Sequence, residues 1–456
     1  MAKLKNLVEK QNFFFHSGQT RNISFRLEQL KLLKSKIKAY EDKINQALRK
    51  DLNKSLLEVY ATEIAMVYGE INHTVKNLRS WAKPSRVKTP LSHFGSTGYI
   101  YPEPYGLALI ISPWNYPFQL VICPLAGAIA AGNCAIIKPS ELCPNITGVI
   151  AELIQECFPE EYIAVVEGGI ETAKALLAEK FDYIFYTGSP AVGKIVMEAA
   201  AQNLTPLTLE LGGKSPCIVH NDADLSLAAK RIVWGKCINA GQTCVAPDYL
   251  LVHKNIKEKF LENIKNAIQE SYGKDVTNNE DFPVIINDRH FQRLVAYLEN
   301  GQVLTGGRYD EKRRFIEPTV IDQVNWNCPI MQDEIFGPLL PVMEYEDLSE
   351  VFKMVNDRPK PLALYFFSNN KNLQNKVINN ISYGGGCIND TIFHLVSPYL
   401  PFGGVGNSGI GSYHGKSSFD TFSHKKSVLH QTTLFDLPAR YPNFKYALKV
   451  FRMLFH

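Results

Sequence analysis

The chain has 456 residues, of which 45% are hydrophobic and 21% are charged, a composition typical of globular proteins with large cores. This length allows about three domains. The formal net charge of +4 comes from interspersed charges of both signs, and it is too small to indicate a nucleic-acid partner.

Nine cysteines are spaced irregularly and form no C-x-x-C pair, which argues against a disulfide framework and against a structural zinc site. We therefore predict no metal, and we expect a reducing compartment, the cytoplasm. The first residues, MAKLKNLVEKQ, lack the apolar core of a signal peptide.

The first predicted elements are helices over residues 23–80, where apolar residues recur at intervals of three and four. Residues 81–90, with their prolines and lysines, indicate a boundary. Residues 105–137 carry no charged side chain, a length sufficient to cross a bilayer. Prolines and glycines interrupt this stretch, so a buried strand, helix and second strand explain it better than a transmembrane segment.

From residue 106, short β-branched runs alternate with helical runs, which predicts a parallel sheet covered on both faces. A second alternating unit contains helices 222–239 and 256–272, and it continues to about residue 380. The predicted strands of the first unit are GLALIIS, NCAIIK, YIAVVEG, FDYIFYT and PLTLELGG. The glycine-rich residues 400–416 predict an irregular loop. The tail places apolar residues on one helical face: Phe444, Ala447, Leu448, Phe451, Leu454 and Phe455.

The stretch GSPAVGK, residues 188–194, fits the phosphate-loop pattern except that Ile195 follows, where that loop needs Ser or Thr. It still predicts a strand that ends in a glycine turn and opens a helix. Free N–H groups at such a helix start suit an anion such as a dinucleotide pyrophosphate. No G-x-G-x-x-G is present in this predicted strand–helix unit, and a plain strand–helix turn is the alternative for this motif alone.

The stretch KPSE, residues 138–141, follows another strand of the same predicted sheet. Ligands of open parallel sheets bind beyond the carboxyl ends of the strands, where Lys138 and Glu141 are able to reach ribose hydroxyls. A surface turn without a ligand is the alternative for this motif alone.

Cys244 lies in NAGQTCVAPDY, a polar, glycine-containing break between a predicted helix and a strand. A thiol there can be exposed and activated as a nucleophile, whereas the other eight cysteines lie in apolar periodic stretches. Glu210 ends an apolar strand, where a carboxylate is costly to bury unless it is used. Asn115, in SPWNYP, carries an amide that can donate to a developing oxyanion. Glu334, in EIFGP, is a further acid beside a turn.

These motifs together resemble the aldehyde dehydrogenase superfamily over nearly the whole chain. The resemblance rests on PWN, KPSE, GSPAVG, LELGGKSP, NAGQTC, EIFGP and PFGGVGNSG in that order. The late SYHGKSSFDTFSHKK is similar to the class 3 branch, which includes fatty aldehyde dehydrogenases. The implied fold is α/β, with two Rossmann-like parallel-sheet domains and a small β bridging and oligomerisation element.

The resemblance implies that Cys244 is the nucleophile, Glu210 the general base, and Asn115 the oxyanion-hole donor beside the backbone N–H of Cys244. The implied reaction oxidises an aldehyde to a carboxylic acid through a thiohemiacetal and a thioester, which water hydrolyses. The implied cofactor contacts are Trp114, Lys138, Glu141, Gly188, Ser189, Gly193, Glu334 and Phe336. Among these, Lys138 and Glu141 would hold the adenosine ribose, Ser189 the pyrophosphate, and Glu334 and Phe336 the nicotinamide ribose and ring.

The resemblance also implies a dinucleotide-binding domain (1–80 and 103–210), a catalytic domain (211–395) and a bridging element (81–102 and 396–425) that supports a homodimer. The amphipathic tail (426–456) carries no spanning anchor. We expect it to pack near the substrate entrance or the partner subunit, and a peripheral membrane contact stays open.

NAD is the expected cofactor, because Glu141 accepts a hydrogen bond from a free 2′-hydroxyl and repels a 2′-phosphate. Lys138 offsets part of that repulsion, so NADP is expected to be usable. The substrate is an aldehyde whose identity the sequence does not give. Three alternatives stay open: an acylating enzyme that uses coenzyme A, a cysteine hydrolase or acyltransferase without a redox cofactor, and a non-catalytic relative.

Overall fold

The computed structural model describes residues 2–455, and it begins with a helical layer. Residue 1 of the predicted dinucleotide-binding domain and residue 456 of the predicted tail lie outside these residues. The helices predicted over 23–80 are confirmed, with a break at Asn53, which has a left-handed φ of 56°. The first elements are α1 (Ala2–His16), α2 (Ile23–Leu52), α3 (Leu56–Val59), a π-helical turn (Tyr60–Ile64), α4 (Ala65–Trp81), β1 (Ser85–Val87) and β2 (Ser96–Pro104).

The first large sheet confirms the alternation of strands and helices predicted from residue 106. Its elements are β3 (Leu107–Ile111), α5 (Gln119–Ala131), β4 (Cys134–Lys138), α6 (Pro144–Cys157), β5 (Ile163–Val165), α7 (Ile170–Leu177), β6 (Tyr183–Gly188), α8 (Pro190–Ala201) and β7 (Leu207–Leu211). Strands β7, β6, β3, β4 and β5 are parallel neighbours in that order. The chain reverses its direction of winding between β3 and β6, where open sheets of this kind bind ligands.

The second large sheet has seven strands in the order β10, β13, β14, β9, β8, β15, β16, of which only β10 is antiparallel to its neighbour. The strands and helices of this part of the chain are β8 (Pro216–Val219), α9 (Leu225–Cys237), β9 (Tyr249–His253), α10 (Lys257–Tyr272), α11 (Asp288–Ala296), β10 (Gln302–Thr305), β11 (Tyr309–Asp310), β12 (Phe315–Ile316), β13 (Thr319–Asp322), β14 (Leu339–Tyr345), α12 (Leu348–Asn356), β15 (Ala363–Phe367), α13 (Lys371–Asn380) and β16 (Gly385–Ile388). Strands β11 and β12 pair with each other in a separate two-stranded antiparallel sheet.

The last elements are β17 (Gly409–Ile410), α14 (Lys416–Thr421), β18 (Ser423–Gln431) and α15 (Ala447–Phe455). The glycine-rich loop is thus not wholly irregular, because β17 adds an antiparallel edge to β7 opposite Glu210. Strand β18 pairs with β2, and β2 with β1, in a small antiparallel sheet. The predicted boundary at residue 425 falls inside β18, and the domain division as a whole stays a prediction.

The uncharged stretch forms β3, α5 and β4, and every residue of α5 is buried. Helix α5 lies between the helices α2 and α4 and the sheet, so its apolar surface is covered by protein. Within residues 2–455, none of the helices combines the length and the apolarity needed to cross a bilayer.

Candidate active site

The segment before Cys244 has an unusual backbone. Asn239, Ala240 and Gly241 have φ values of 52°, 50° and 74°, a left-handed run that non-glycine residues rarely adopt. At Gly241 a side chain would also meet the Gly337 carbonyl oxygen at 2.2 Å. This run ends the helical segment that follows α9 and leads the chain into the loop that carries Cys244, so its strain is held at the site itself.

The side chain of Gln242 holds this run in place. Its amide nitrogen donates to the carbonyl oxygens of Asn239 and Val284 at 3.1 and 3.0 Å, and its oxygen accepts from the Ile286 N–H at 3.0 Å. The Asn239 N–H donates to a carboxylate oxygen of Glu58 at 2.6 Å. Three of these partners come from distant parts of the chain, so the surrounding structure defines the position of the loop that carries Cys244.

Asn115 lies beside this loop, as the sequence predicts for a donor near Cys244. Its side-chain nitrogen donates to the Gln242 carbonyl at 3.0 Å, which leaves a second N–H on the same amide. Its own carbonyl accepts from the side-chain nitrogen of Asn239 at 2.8 Å. Asn115 and Gln242 are both buried, so the amide is held in one orientation.

Lys54 and Glu63 form a buried ion pair that the sequence analysis did not find. The two side chains have no exposed surface, and Lys54 Nζ lies 2.7 Å from Glu63 Oε1. Lys54 also donates to the Asn115 carbonyl at 3.0 Å. Glu63 Oε2 accepts from the N–H groups of Phe118 and Gln119 at the start of α5. The ion pair therefore ties the N-terminal helices to the backbone of Asn115.

Tyr116 connects the same ion pair to the loop of Cys244. Lys54 Nζ lies 4.1 Å from the centre of its ring, and its hydroxyl is 2.5 Å from the Thr243 hydroxyl. No motif signals these contacts, because Lys54 and Thr243 are 189 positions apart in the chain. Lys54 lies between α2 and α3 and Glu63 lies in the π-helical turn, and other charged residues flank both in the sequence, so neither side chain stands out there.

Glu210 lies near the carboxyl end of β7 and is buried. Neither of its carboxyl oxygens has a hydrogen-bond partner within the described residues. Burial raises the pKa of Glu210 well above the ordinary value of 4.5. A carboxyl without a partner at this position accepts a proton from a bound water or ligand more readily than an exposed one.

Cys244 is half-buried, and the carboxyl groups of Glu334 and Glu210 act on its thiol. Burial raises the pKa of the Cys244 thiol, the charges of Glu334 and Glu210 raise it further, and the backbone N–H groups of Cys244 and Val245 oppose them. The thiol is therefore protonated in the resting site, and reaction requires that its proton be removed.

Glu334 and Phe336 lie in the loop that precedes β14. Burial and the charge of Asp248 raise the pKa of Glu334 to about 8, against a hydrogen bond from the backbone of Gly213. Phe336 has a left-handed φ of 52°, and its ring packs edge-on against Trp114 with centroids 5.4 Å apart. Trp114 also contacts His290, at 5.6 Å, which the sequence analysis did not single out.

The predicted cofactor residues other than Glu334 and Phe336 lie at or just beyond the carboxyl edge of the first sheet. Lys138 ends β4 and pairs with Glu141 at 2.6 Å. Burial is the largest single effect on Glu141 and disfavours its charge, but the hydrogen bond from Lys138, a backbone hydrogen bond and the charge of Lys138 together lower its pKa. Gly188 ends β6, and the side chain of Ser189 caps α8 by accepting from the Val192 N–H.

This edge fits a dinucleotide. The first turn of α8 offers backbone N–H groups to a pyrophosphate near β3, at the point where the winding reverses. Gly193 lets α8 approach β7 closely, because a side chain there would meet Leu211 at 2.8 Å. Lys138 and Glu141 would hold the ribose, and Trp114 and Phe336 would form an aromatic wall beside Cys244. Within the described residues, no group of three or more His, Cys, Asp or Glu side chains is placed to hold a metal.

Residues 4–428 match the aldehyde dehydrogenase family. A 4,4'-diaponeurosporen-aldehyde dehydrogenase of Staphylococcus aureus is 50% identical over 99% of both chains. The rat enzyme described as aldehyde dehydrogenase, dimeric NADP-preferring, is 46% identical over 97% of this chain and 98% of its own.

A solved structure described as the substrate-bound state of Staphylococcus aureus AldH superposes with a TM-score of 0.97, at 49% identity over 99% of both chains. The resemblance seen in the motifs is thus confirmed, as is the α/β fold that it implied. The chain belongs to the aldehyde dehydrogenase family, and it is an aldehyde dehydrogenase that depends on NAD or NADP.

Proposed function

We propose that this enzyme oxidises aldehydes to carboxylic acids through a covalent thiohemiacetal and a thioester on Cys244, with water as the final acyl acceptor. The observation that carries the proposal is the meeting of Cys244, the Asn115 amide and an unpartnered Glu210 carboxyl at one place. These three groups are a nucleophile, an oxyanion donor and a base, which the proposed chemistry requires.

In the first step, the proton of the Cys244 thiol passes to solvent water as the sulfur attacks the aldehyde carbon. The developing oxyanion accepts from the second N–H of the Asn115 amide and from the backbone N–H of Cys244. Because the Asn115 amide is already held by Gln242, it does not need to reorient as the charge develops. Loss of one such donor typically costs about 10²–10³ in rate.

When bound, the oxidised nicotinamide supplies the acceptor for the hydride that leaves the former aldehyde carbon. Glu334, against Gly212 and Gly213, would hold the nicotinamide ribose. Phe336 and Trp114 would keep the ring beside Cys244 and exclude water from it. The remainder of the dinucleotide would be held by Lys138, Glu141, Gly188, Ser189 and Gly193.

In the last step, Glu210 deprotonates a water that attacks the thioester. The raised pKa of Glu210 suits this role, because its carboxylate holds a proton more strongly than an exposed carboxylate does. The Cys244 sulfur leaves as a thiolate, and the carboxylic acid is released. This use of Glu210 disfavours transfer of the acyl group to coenzyme A.

A single-turnover experiment tests the proposal. Enzyme mixed with an aldehyde and NAD and then quenched in acid should carry an acyl adduct, which peptide mass spectrometry locates at Cys244. Glu210→Gln should accumulate the adduct, and Cys244→Ser should form neither adduct nor reduced cofactor. An aldehyde-dependent product without reduced cofactor, or turnover that requires coenzyme A, would contradict the proposal.

We further propose a cytoplasmic homodimer that prefers NAD. The paired carboxylate of Glu141 supports the preference for a free 2′-hydroxyl, whereas the rat relative is described as NADP-preferring. That relative is also described as dimeric, and all nine cysteines here are free thiols, as in a reducing compartment. Steady-state assays with both cofactors decide the preference: a lower kcat/KM with NAD than with NADP would show that Glu141 does not control it.

A further inference from the structure

Glu58, in the short helix α3, is an acid beside the active site that the proposed chemical steps do not use. One of its carboxyl oxygens accepts from the Asn239 N–H at 2.6 Å, from a position 181 residues away in the chain. Asn239 is fully buried and lies just beyond the end of α9. A buried backbone N–H without an acceptor is costly, and Glu58 supplies the acceptor here.

Asn239 connects this hydrogen bond to the reacting groups. Its backbone, with a φ of 52°, begins the left-handed run that leads into the loop of Cys244. Its side-chain nitrogen donates to the carbonyl oxygens of Asn115 and Gln242 at 2.8 and 3.1 Å. The Asn115 amide donates to the same Gln242 carbonyl at 3.0 Å. A shift of Asn239 therefore displaces both the oxyanion donor and the loop of the nucleophile.

Capping of α3 does not account for the position of the Glu58 carboxyl. The Ser55 hydroxyl caps α3 by accepting from the Glu58 N–H at 3.2 Å. In the usual capping box, a Glu three residues after the cap turns its carboxyl back to the N–H of the cap residue. The Glu58 carboxyl meets the N–H of Asn239 instead, so it acts on the loop of Cys244.

Glu58 is also a second carboxyl beside a cation that is already paired. Lys54 Nζ lies 2.7 Å from Glu63 Oε1, so the charge of Lys54 is compensated there. Burial raises the pKa of Glu58 to about 7, although Lys54 and the hydrogen bond from the backbone N–H oppose the rise. The charge of Glu63 adds to it. Glu58 thus changes its charge near neutral pH.

Three further titratable groups face Glu58 from other elements. Tyr116 precedes α5, Cys237 ends α9, and Tyr272 ends α10. Burial is the main cause that raises the pKa of all three, and the charge of Glu58 adds to the rise. They therefore stay neutral while Glu58 ionises.

We propose that Glu58 is a positioning residue of the reaction: its ionised carboxylate, acting through the Asn239 N–H, holds the loop of Cys244 and the Asn115 amide in their reactive arrangement, and protonation weakens that hold. The proposal rests on the role proposed for Cys244. A hydrogen bond to an ionised acceptor is roughly twice as strong as one to a neutral acceptor. The left-handed run is strained, so a weaker bond at its first residue lets the run relax.

The pH dependence of kcat in Glu58→Gln tests the proposal, because the new amide still offers an oxygen to the Asn239 N–H but does not ionise. The ratio of the wild-type kcat to the variant kcat should rise from about 1 at about pH 5.5 to about fivefold at about pH 8.5. Its midpoint should lie near pH 7. Other titrating groups of the site are present in both proteins and cancel in the ratio. A ratio that is constant over this range would overturn the proposal.

Ser55→Ala is the matched control, because it removes the cap of α3 and keeps the Glu58 carboxylate. It should change kcat less than about twofold at every pH. The same pH-dependent loss in Ser55→Ala would show that the placement of α3, and not the charge of Glu58, controls the rate, and it would overturn the proposal.

Hydrogen exchange gives a readout that does not require turnover. At about pH 8, the peptide that spans residues 238–244 should exchange at least about threefold faster in Glu58→Gln than in the wild type. Equal exchange would overturn the proposal. Cys244→Ser separates the two proposals: turnover in that variant refutes the role of Cys244, while hydrogen exchange still decides on Glu58. An inactive Cys244→Ser together with a constant kcat ratio refutes only the role of Glu58.

Discussion

At the scale of single residues, the orientation of Asn115 depends on a charge that never reaches the surface. Lys54 donates to the Asn115 carbonyl, and Glu63 compensates the charge of Lys54 while it caps α5. Removing Lys54 alone would leave a buried unpaired carboxylate, which typically costs about 3–5 kcal/mol. A useful variant must therefore neutralise both members of the pair.

We expect Lys54→Met combined with Glu63→Gln to lower kcat about tenfold, because Asn115 loses its support while the new amide at position 63 still accepts from the N–H groups of α5. The same pair of changes should have no further effect on kcat in an Asn115→Ala background. Steady-state kinetics of the four proteins give this coupling. If the double substitution lowers kcat by the same factor in the Asn115→Ala background as in the wild type, the ion pair acts on stability and not through Asn115.

At the scale of elements, the junction after β7 determines where Glu334 lies. A side chain at Gly212 would meet Glu334 Oε2 at 2.0 Å, and the carboxylate is the mobile end of a long side chain. Gly212 has no left-handed φ, so alanine is not strained by the backbone there. The substitution is therefore a way to move one carboxylate without unfolding the junction.

Gly212→Ala should raise the KM for NAD about tenfold, because the added methyl group displaces the Glu334 carboxylate. A displacement of about 1 Å is enough to weaken a contact in a preorganised site. Its melting temperature should stay close to that of the wild type. Gly148→Ala in α6, where the added methyl group meets nothing within 4 Å, is the matched control. An unchanged KM for NAD would show that Glu334 does not contact the cofactor.

At the scale of the whole molecule, residues of two sheets meet at one site, and the effect of this arrangement on the free energy of unfolding depends on pH. Glu210 comes from the first sheet, and Cys244 and Glu334 come from loops of the second. The packing of these segments buries the carboxyl groups of Glu210 and Glu334, and burial raises the pKa of both. When the pKa of a carboxyl group is higher in the folded state than in the unfolded chain, the free energy of unfolding falls as the pH rises. The reason is that the carboxyl group ionises at a lower pH in the unfolded chain than in the folded protein.

Glu210→Gln should therefore become more stable relative to the wild type as the pH rises above about 4.5, where the unfolded carboxyl ionises. The difference should grow by about 1.4 kcal/mol per pH unit until the folded carboxyl also ionises. Melting temperatures of both proteins from pH 5 to pH 8 measure it. A difference that stays constant with pH would contradict the burial argument.

Much of the fold was predictable because its strands and helices have strong local patterns. The alternation from residue 106 gives parallel sheets, and the carboxyl ends of their strands carry Lys138, Gly188 and Glu210. The two-residue strand β17 was not predictable, since it forms only because Glu210 and Leu209 offer an edge for pairing. Helix α15 begins at Ala447, within the tail where the sequence shows an apolar face.

The sequence by itself determined which residues are candidates for the chemistry, because a cysteine in a polar turn, a carboxylate at a strand end and glycine turns each leave a local mark in an otherwise apolar pattern. Only the tertiary structure decided how Asn115 is held, since Lys54, Asn239 and Gln242 reach it from distant parts of the chain. The left-handed run at Asn239–Gly241 likewise persists only because contacts from other elements outweigh its strain. Such contacts form only in the folded chain, and they leave no periodic pattern in the sequence from which they could be predicted.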